Sequence, residues 1–128
     1  MTTTVLIVDD APTVRRYLSD IMEKTGYDVL SAPSGPHAMV TLRNNSVDLV
    51  LLDYNLPGMN GLSVLHWMRS DPVGLDMPVV MLTTETAPSL VQRAKALGAA
   101  GWLVKPPDPK ELVWTAQNAL SRRSPLGN

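Results

Sequence analysis

Cysteine is absent from this sequence. Its absence excludes disulfide bonds and thiolate metal sites, so the fold depends neither on oxidising conditions nor on zinc–sulfur chemistry. Phenylalanine is also absent, and aromatic residues make up only 5% of the chain. The 45% of residues that are hydrophobic are enough for a real core, but Val, Leu, Ile and Met must fill it.

Neither sign of charge is in excess. Eleven Lys and Arg face twelve Asp and Glu, for a net charge of −1, which indicates no nucleic-acid or membrane partner through bulk charge. No apolar run approaches the ~20 residues of a membrane span, and the first residues lack the basic segment of a signal peptide. We therefore expect a soluble cytoplasmic domain that contacts neither nucleic acid nor membrane directly.

Strand and helix signals alternate along the 128 residues. Apolar, β-branched runs predict strands over 4–10, 27–32, 47–53, 78–84 and 100–105. Helical spacing with Pro, Ser or Asp near the start predicts helices over 12–26, 34–45, 61–71, 89–98 and 108–123. Repeated β–α units favour right-handed crossovers and a parallel sheet, here a flavodoxin-like, doubly wound (βα)5 fold with five parallel strands. We expect one domain over 1–123, followed by a tail or linker stub over 124–128.

Polar residues stand where the predicted strands end. Asp9 and Asp10 end the first strand and Asp53 ends the third. Thr83 ends the fourth and Lys105 ends the fifth. In an α/β sheet of this kind the site lies at the carboxyl ends of the strands, so we expect these side chains to share one crevice.

The clustered acids indicate a cation. Two carboxylates about 4 Å apart repel by roughly 1–4 kcal/mol, so three need positive charge beyond that of Lys105. Carboxylates without His or Cys match Mg²⁺ and argue against zinc. An Asp carboxylate can also attack phosphorus to form an acyl phosphate. We predict Asp53 as the phosphoacceptor, left open to a donor by the loop after it, with Asp9 and Asp10 as metal ligands.

Over residues 4–122 the sequence resembles a response-regulator receiver domain, of the single-domain, chemotaxis-regulator type. The resemblance rests on the "VDD" that ends at Asp10, on "LLDYNLPGMNG" around Asp53, on Thr83 after "VVML", and on Lys105–Pro106. It implies a switch that accepts a phosphoryl group from a sensor histidine kinase or phosphotransfer protein. The resemblance also implies a phosphoacceptor regulator that assists its own phosphotransfer and autodephosphorylation, rather than an enzyme.

The resemblance also implies roles for single residues. Asp10 and Asp53 would bind Mg²⁺ directly, Asp9 through water, and Asn55 through its backbone carbonyl. Lys105 and Thr83 would each contact a phosphoryl oxygen.

Further roles follow from the same resemblance. The Lys105–Pro106 bond would be cis, as X–Pro bonds can be at small cost. Asn55 and Glu85 would tune the hydrolysis of the aspartyl phosphate toward the fast, chemotaxis-like end. The face of the fourth helix, fifth strand and fifth helix would carry the signal to an unknown target or to an output domain outside this sequence.

Three positions depart from the pattern of the family. Trp102 stands where the switch residue is usually Tyr or Phe, with plain packing against the last helix as the alternative. Thr84 replaces the usual Ala or Gly, and Pro107 replaces a frequent Phe. These departures motivate a second hypothesis, an interaction module that no longer uses phosphate.

Two further classes are disfavoured. A Mg²⁺-dependent aspartyl phosphatase needs an acid at the position of Asn55. A flavin or dinucleotide binder needs a Gly-rich loop after the first strand, and none is present. Arg15 and Arg16 are expected to form a solvated face, with docking of the kinase as the alternative.

Overall fold

The computed structural model describes residues 2–84 and 87–123. For residue 123 it describes the backbone alone. Strands and helices alternate along the chain, as the sequence predicts. The strands are β1 (Thr4–Val8), β2 (Asp28–Ala32), β3 (Leu49–Asp53), β4 (Val79–Thr83) and β5 (Gly101–Val104). The helices are α1 (Pro12–Lys24), α2 (Gly35–Asn44), α3 (Gly61–Arg69), α4 (Pro88–Ala96) and α5 (Pro109–Arg123). The predicted tail over 124–128 lies outside the described residues.

The five strands form one parallel sheet in the order β2-β1-β3-β4-β5. This order confirms the predicted doubly wound architecture. The inner strands β3 and β4 are buried along their whole length, and β1 is buried after its first residue. Continuous burial explains why these strands read as unbroken apolar runs, since helices cover both faces of the sheet.

Alternate residues of the strands supply two hydrophobic clusters, one on each face. One cluster packs the sheet against side chains of α2, α3 and α4, including Met39, Leu65 and Met68. The other packs it against α1 and α5 through Leu18, Met22 and other residues. Leucine and methionine thus fill the volume that phenylalanine often takes.

Local signals fix the ends of the helices. The Ser34 hydroxyl accepts a hydrogen bond from the His37 N–H at 3.3 Å, and the Asp108 carboxylate accepts one from the Lys110 N–H at 3.0 Å. Gly26 and Gly98, which follow α1 and α4, have φ values of 103° and 79°. Only glycine adopts that left-handed conformation without strain, and it ends a helix.

One arginine connects α3 to the end of α4. The half-buried Arg69 donates to the carbonyl oxygens of Leu97 and Gly74, each at 2.7 Å, and to that of Gly98 at 3.2 Å. Burial lowers the pKa of its guanidinium, and the nearby Asp76 opposes that shift. The contacts with Leu97 and Gly98 satisfy carbonyls at the end of α4. Across the described ranges, no helix combines the length and apolarity that a membrane crossing requires.

Candidate functional site

The site lies at the carboxyl edge of the sheet, where four strands end side by side. Asp53 is the last residue of β3, which lies between β1 and β4. Asp9 follows β1, Thr83 ends β4, and Lys105 follows β5. Because β1 stops at Val8 rather than at residue 10, Asp9 and Asp10 belong to the loop before α1.

Three carboxylates meet at this edge. Oxygen atoms of Asp9, Asp10 and Asp53 all lie within 4.8 Å of one another. Asp9 and Asp53 are buried, with 1% and 2% of their surface exposed, whereas Asp10 is exposed. Asp9 is also held by a hydrogen bond from the Ala11 N–H to its Oδ1 at 2.9 Å. The structure thus brings together the three acids that the sequence analysis names as metal ligands.

Lys105 supplies positive charge between two of the acids. Its Nζ donates to Asp9 Oδ2 at 2.9 Å and forms an ion pair with Asp53 Oδ1 at 3.2 Å. Burial alone would lower the pKa of this ammonium. The hydrogen bond to Asp9 and the charge of Asp53 outweigh that effect and leave the pKa raised. The lysine therefore stays charged, as a counter-ion to the pair.

Asp53 carries a charge that its surroundings only partly compensate. Burial raises the pKa of its carboxyl, and the charge of Asp9 raises it further. The charge of Lys105 and the backbone N–H of Asn55 act in the opposite direction without reversing the shift. No described residue gives the buried Oδ1 a hydrogen bond, although Lys105 lies beside it. A further cation at this point would lower the cost of the cluster.

The loop after β3 does not leave Asp53 open, which corrects our expectation. The Gly61 N–H donates to the Tyr54 carbonyl at 2.6 Å, so the intervening loop turns back onto the end of β3. A Cβ on Gly61 would collide with the Asp53 carbonyl oxygen and with Tyr54 Cα, so glycine is required for this close approach. The loop thus packs on the backbone of Asp53, a residue of which only 2% of the surface is exposed.

The donor set fits a hard divalent cation. Three carboxylates converge, and no His or Cys belongs to the group. Oxygen-only donors with one exposed member, Asp10, suit Mg²⁺, which keeps several waters. Asp9, Asp10 and Asp53 are thus the residues that could hold the ion, and Asn55 is exposed two residues after Asp53.

The remaining predicted residues lie around this cluster at different depths. Thr83 is fully buried, and its carbonyl accepts a hydrogen bond from the Lys105 N–H at 2.9 Å. Thr84 and Pro106 are exposed, and the Lys105–Pro106 bond is cis, as the resemblance implies. Glu85 lies outside the described residues.

Trp102 packs on the face of the sheet opposite to α5. It pairs in register with Met81, and it contacts the cluster that contains Ala94 of α4. The alternative of plain packing against the last helix is therefore wrong, because alternation along β5 turns Leu103, and not Trp102, toward the cluster with α5. Its Nε1 is buried without a hydrogen-bond partner among the described residues.

Sequence reasoning missed two residues of α1 that reach the site loops. Arg15, expected on a solvated face, donates through Nη1 to the Asp9 carbonyl at 2.7 Å. The Tyr17 hydroxyl donates to the Pro107 carbonyl at 2.9 Å. Both acceptors are backbone carbonyl groups. Because every residue has such a group, no residue pattern identifies them. The available signal was position alone, since the first turns of α1 begin beside the carboxyl edge of the sheet.

Comparison with known proteins agrees with this geometry. The family model described as the response regulator receiver domain matches residues 5–117. A chemotaxis protein CheY homolog of Campylobacter jejuni is 35% identical over 124 residues, with 95% of each chain covered. The chemotaxis protein CheY4 of Vibrio cholerae superposes with a TM-score of 0.88 at 37% identity, covering 94% of this chain and 100% of that one.

A longer relative matches through one part only. The phosphate regulon transcriptional regulatory protein PhoB of Pseudomonas aeruginosa is 32% identical over 122 residues, which cover 95% of this chain and 53% of PhoB. The chain thus spans about half the length of that protein. Together with the convergence of Asp9, Asp10, Asp53 and Lys105, these matches show that the chain belongs to the response regulator receiver domains, the phosphorylation switches of two-component signalling.

Proposed function

We propose that Asp53 accepts a phosphoryl group from the phosphohistidine of a sensor histidine kinase or of a phosphotransfer protein. An oxygen of the Asp53 carboxylate attacks phosphorus as the histidine N–P bond breaks. The electron pair of that bond stays on the imidazole nitrogen, and the product is an acyl phosphate. The observation that carries the proposal is the placement of Lys105 Nζ within 3.2 Å of both buried carboxylates, those of Asp9 and Asp53.

The side chains around Asp53 have separate parts in this reaction. Asp9, Asp10, Asp53 and the carbonyl of Asn55 would hold Mg²⁺, which when bound neutralises charge on the phosphoryl oxygens. The Lys105 ammonium, already beside the Asp53 carboxylate, binds a second phosphoryl oxygen as charge spreads over the group. Thr83, buried at the end of the neighbouring strand, hydrogen-bonds a third.

Loss of the phosphoryl group resets the switch. Attack by water on phosphorus returns the Asp53 carboxylate and inorganic phosphate, so the chain assists its own dephosphorylation without acting on another substrate. Asn55 and Glu85 lie two residues after Asp53 and Thr83, respectively. They set how readily that water approaches the phosphorus. The expected location is the cytoplasm, with the kinase.

The output of the switch is assigned to the face formed by α4, β5 and α5. Val104 and Trp114 are exposed on β5 and α5, at 47% and 66% of their surface. A cavity of about 320 Å³ lies beside Trp102, between α4 and Arg122 of α5. Trp102 would then act as the switch residue, and an unidentified target or an attached output domain would bind this face.

The test is phosphorylation by a small donor. Purified protein is incubated with Mg²⁺ and acetyl phosphate, and phosphorylation is read by intact-protein mass spectrometry. We expect one added phosphoryl group in the wild type and none in Asp53→Asn. Asp20→Asn, which makes the same change at an exposed site on α1, is the matched control and should react like the wild type. Equal phosphorylation of the wild type and Asp53→Asn would refute the proposal.

A further inference from the structure

The loop that follows Lys105 is anchored from three directions. At its start, the Lys105 N–H donates to the Thr83 carbonyl at 2.9 Å. At its end, the Asp108 carboxylate caps α5 by accepting from the Lys110 N–H. Between these points stand Pro106 and Pro107. Since proline has no N–H, this segment can bond to its surroundings only through its carbonyl groups.

Tyr17 of α1 provides the third anchor. Its hydroxyl donates to the Pro107 carbonyl at 2.9 Å, joining residues 90 positions apart in sequence. Pro107 is buried, and Tyr17 is 39% exposed. The bond therefore ties the first helix to the segment that immediately follows the site lysine.

On the side that faces α1, the segment borders a groove. Tyr17, Thr84, Lys105 and the two prolines line an apolar groove of about 310 Å³ between the helix and the loop. The groove separates the helix from part of the loop, and Pro107 at its border is buried. The hydroxyl of Tyr17 spans this gap.

We propose that Tyr17 is a positioning residue, which holds the loop so that Lys105 Nζ stays between Asp9 and Asp53. This inference rests on the proposed function, because it assigns to Tyr17 an effect on phosphorylation of Asp53. A lysine carries its charge on a flexible four-carbon chain, and a displacement of about 1 Å in a reacting group is enough to slow a reaction strongly. Fixing the backbone on both sides of Lys105 limits that displacement.

The variant that tests the inference is Tyr17→Phe, which keeps the ring and deletes only the hydroxyl. With saturating Mg²⁺ and acetyl phosphate, we expect its phosphorylation rate constant to fall about 3- to 10-fold, the usual effect of one hydrogen bond. The matched control is Tyr27→Phe, which deletes a hydroxyl before β2, at the opposite edge of the sheet. It should leave the rate unchanged.

A double-mutant cycle separates positioning from general structural damage. In a Lys105→Met background Tyr17→Phe should have no further effect, because there is no ammonium left to position. The same cycle is measured through the affinity for beryllofluoride, which does not require phosphorylation to be fast. If Tyr17→Phe lowered the phosphorylation rate and the beryllofluoride affinity equally in the wild type and in Lys105→Met, Tyr17 would act only on structure. That result would overturn the inference.

The outcomes distinguish the two proposals. If wild type and Asp53→Asn are phosphorylated alike, the proposed function fails. If wild type depends on Asp53 but Tyr17→Phe reacts as fast as Tyr27→Phe, the proposed function stands and only the role of Tyr17 fails.

Discussion

The buried charge of Asp53 leads to a prediction about stability. Replacing Asp53 with asparagine should stabilise the metal-free domain at neutral pH, although it removes the acceptor. The carboxylate is 2% exposed, and burial raises its pKa in spite of the opposing charge of Lys105. The folded state therefore bears a cost for keeping this group ionised, and a neutral side chain of similar shape avoids it.

The magnitude follows from the distances. At an effective dielectric constant of about 20, Asp9 repels Asp53 by roughly 3.5 kcal/mol across the 4.8 Å that bounds their separation. Lys105 attracts it by roughly 5 kcal/mol at 3.2 Å. Exposed Asp10 adds roughly 1 kcal/mol of repulsion in water-like surroundings. The attraction and the repulsion nearly cancel, so the cost of burying the Asp53 charge decides whether Asp53→Asn stabilises the domain.

We expect a net gain of about 1–2 kcal/mol in the free energy of unfolding. This corresponds to a rise of roughly 3–8 °C in melting temperature for a chain of this size. The measurement is denaturant and thermal unfolding in EDTA at neutral pH. Asp20→Asn, an exposed site, should change neither quantity.

The pH dependence has a definite sign. Well below the ordinary pKa of 3.8, Asp53 is protonated in both the folded and the unfolded state, and the cost is absent. As pH rises from 3.8 through the raised pKa, the folded state holds its proton more tightly than the unfolded state, so the wild type loses stability. The advantage of Asp53→Asn should therefore vanish in acid and be complete at neutral pH. A variant less stable than wild type at pH 7, or an advantage that persists unchanged in acid, would refute this reasoning.

Three other predictions concern the ion, the loop and the arginine. Mg²⁺ should raise the melting temperature of the wild type and raise that of Asp53→Asn less, as thermal unfolding with and without the ion will show; an equal rise would contradict the metal site. Gly61→Ala should lose about 1–3 kcal/mol in denaturant unfolding, because its Cβ meets backbone of residues 53 and 54. An unchanged free energy of unfolding would count against this close approach. Arg69→Met should lose about 2–4 kcal/mol by the same measurement, since the carbonyls of Leu97 and Gly98 lose the arginine donor and that of Gly74 keeps only the Met77 N–H at 3.4 Å. Arg69→Lys should not restore the loss, and a fully stable Arg69→Lys would show that charge alone suffices.

The fold was predictable because its signals are local. Apolar runs, caps such as Ser34 and Asp108, and the glycines after α1 and α4 act within a few residues of themselves. They determine the order of elements, and the rule for parallel sheets then places Asp9, Asp53 and Lys105 at one edge. Element ends were less well predicted. The first strand was expected over 4–10, but β1 ends at Val8, before Asp9 and Asp10.

The missing parts of the site depend on contacts that form only when separate elements meet. The bond from Tyr17 to the Pro107 carbonyl has no signature in residue type, because any residue provides a carbonyl. The burial of Asp53 depends on how the chain returns at Gly61 and how Lys105 reaches across two strands. Such features arise only when the elements have packed.

The closed base of the loop after β3 has a consequence for protein engineering. Because the Gly61 N–H donates to the Tyr54 carbonyl, the loop between these residues begins and ends at nearly the same point beside the sheet. Extra residues inserted near exposed Gly58 would lengthen the excursion without separating its two ends, and loop length costs little free energy. The tip of this loop is therefore a natural position for grafting a peptide tag or an inserted domain, which would report from beside Asp53 while the sheet beneath it keeps its register.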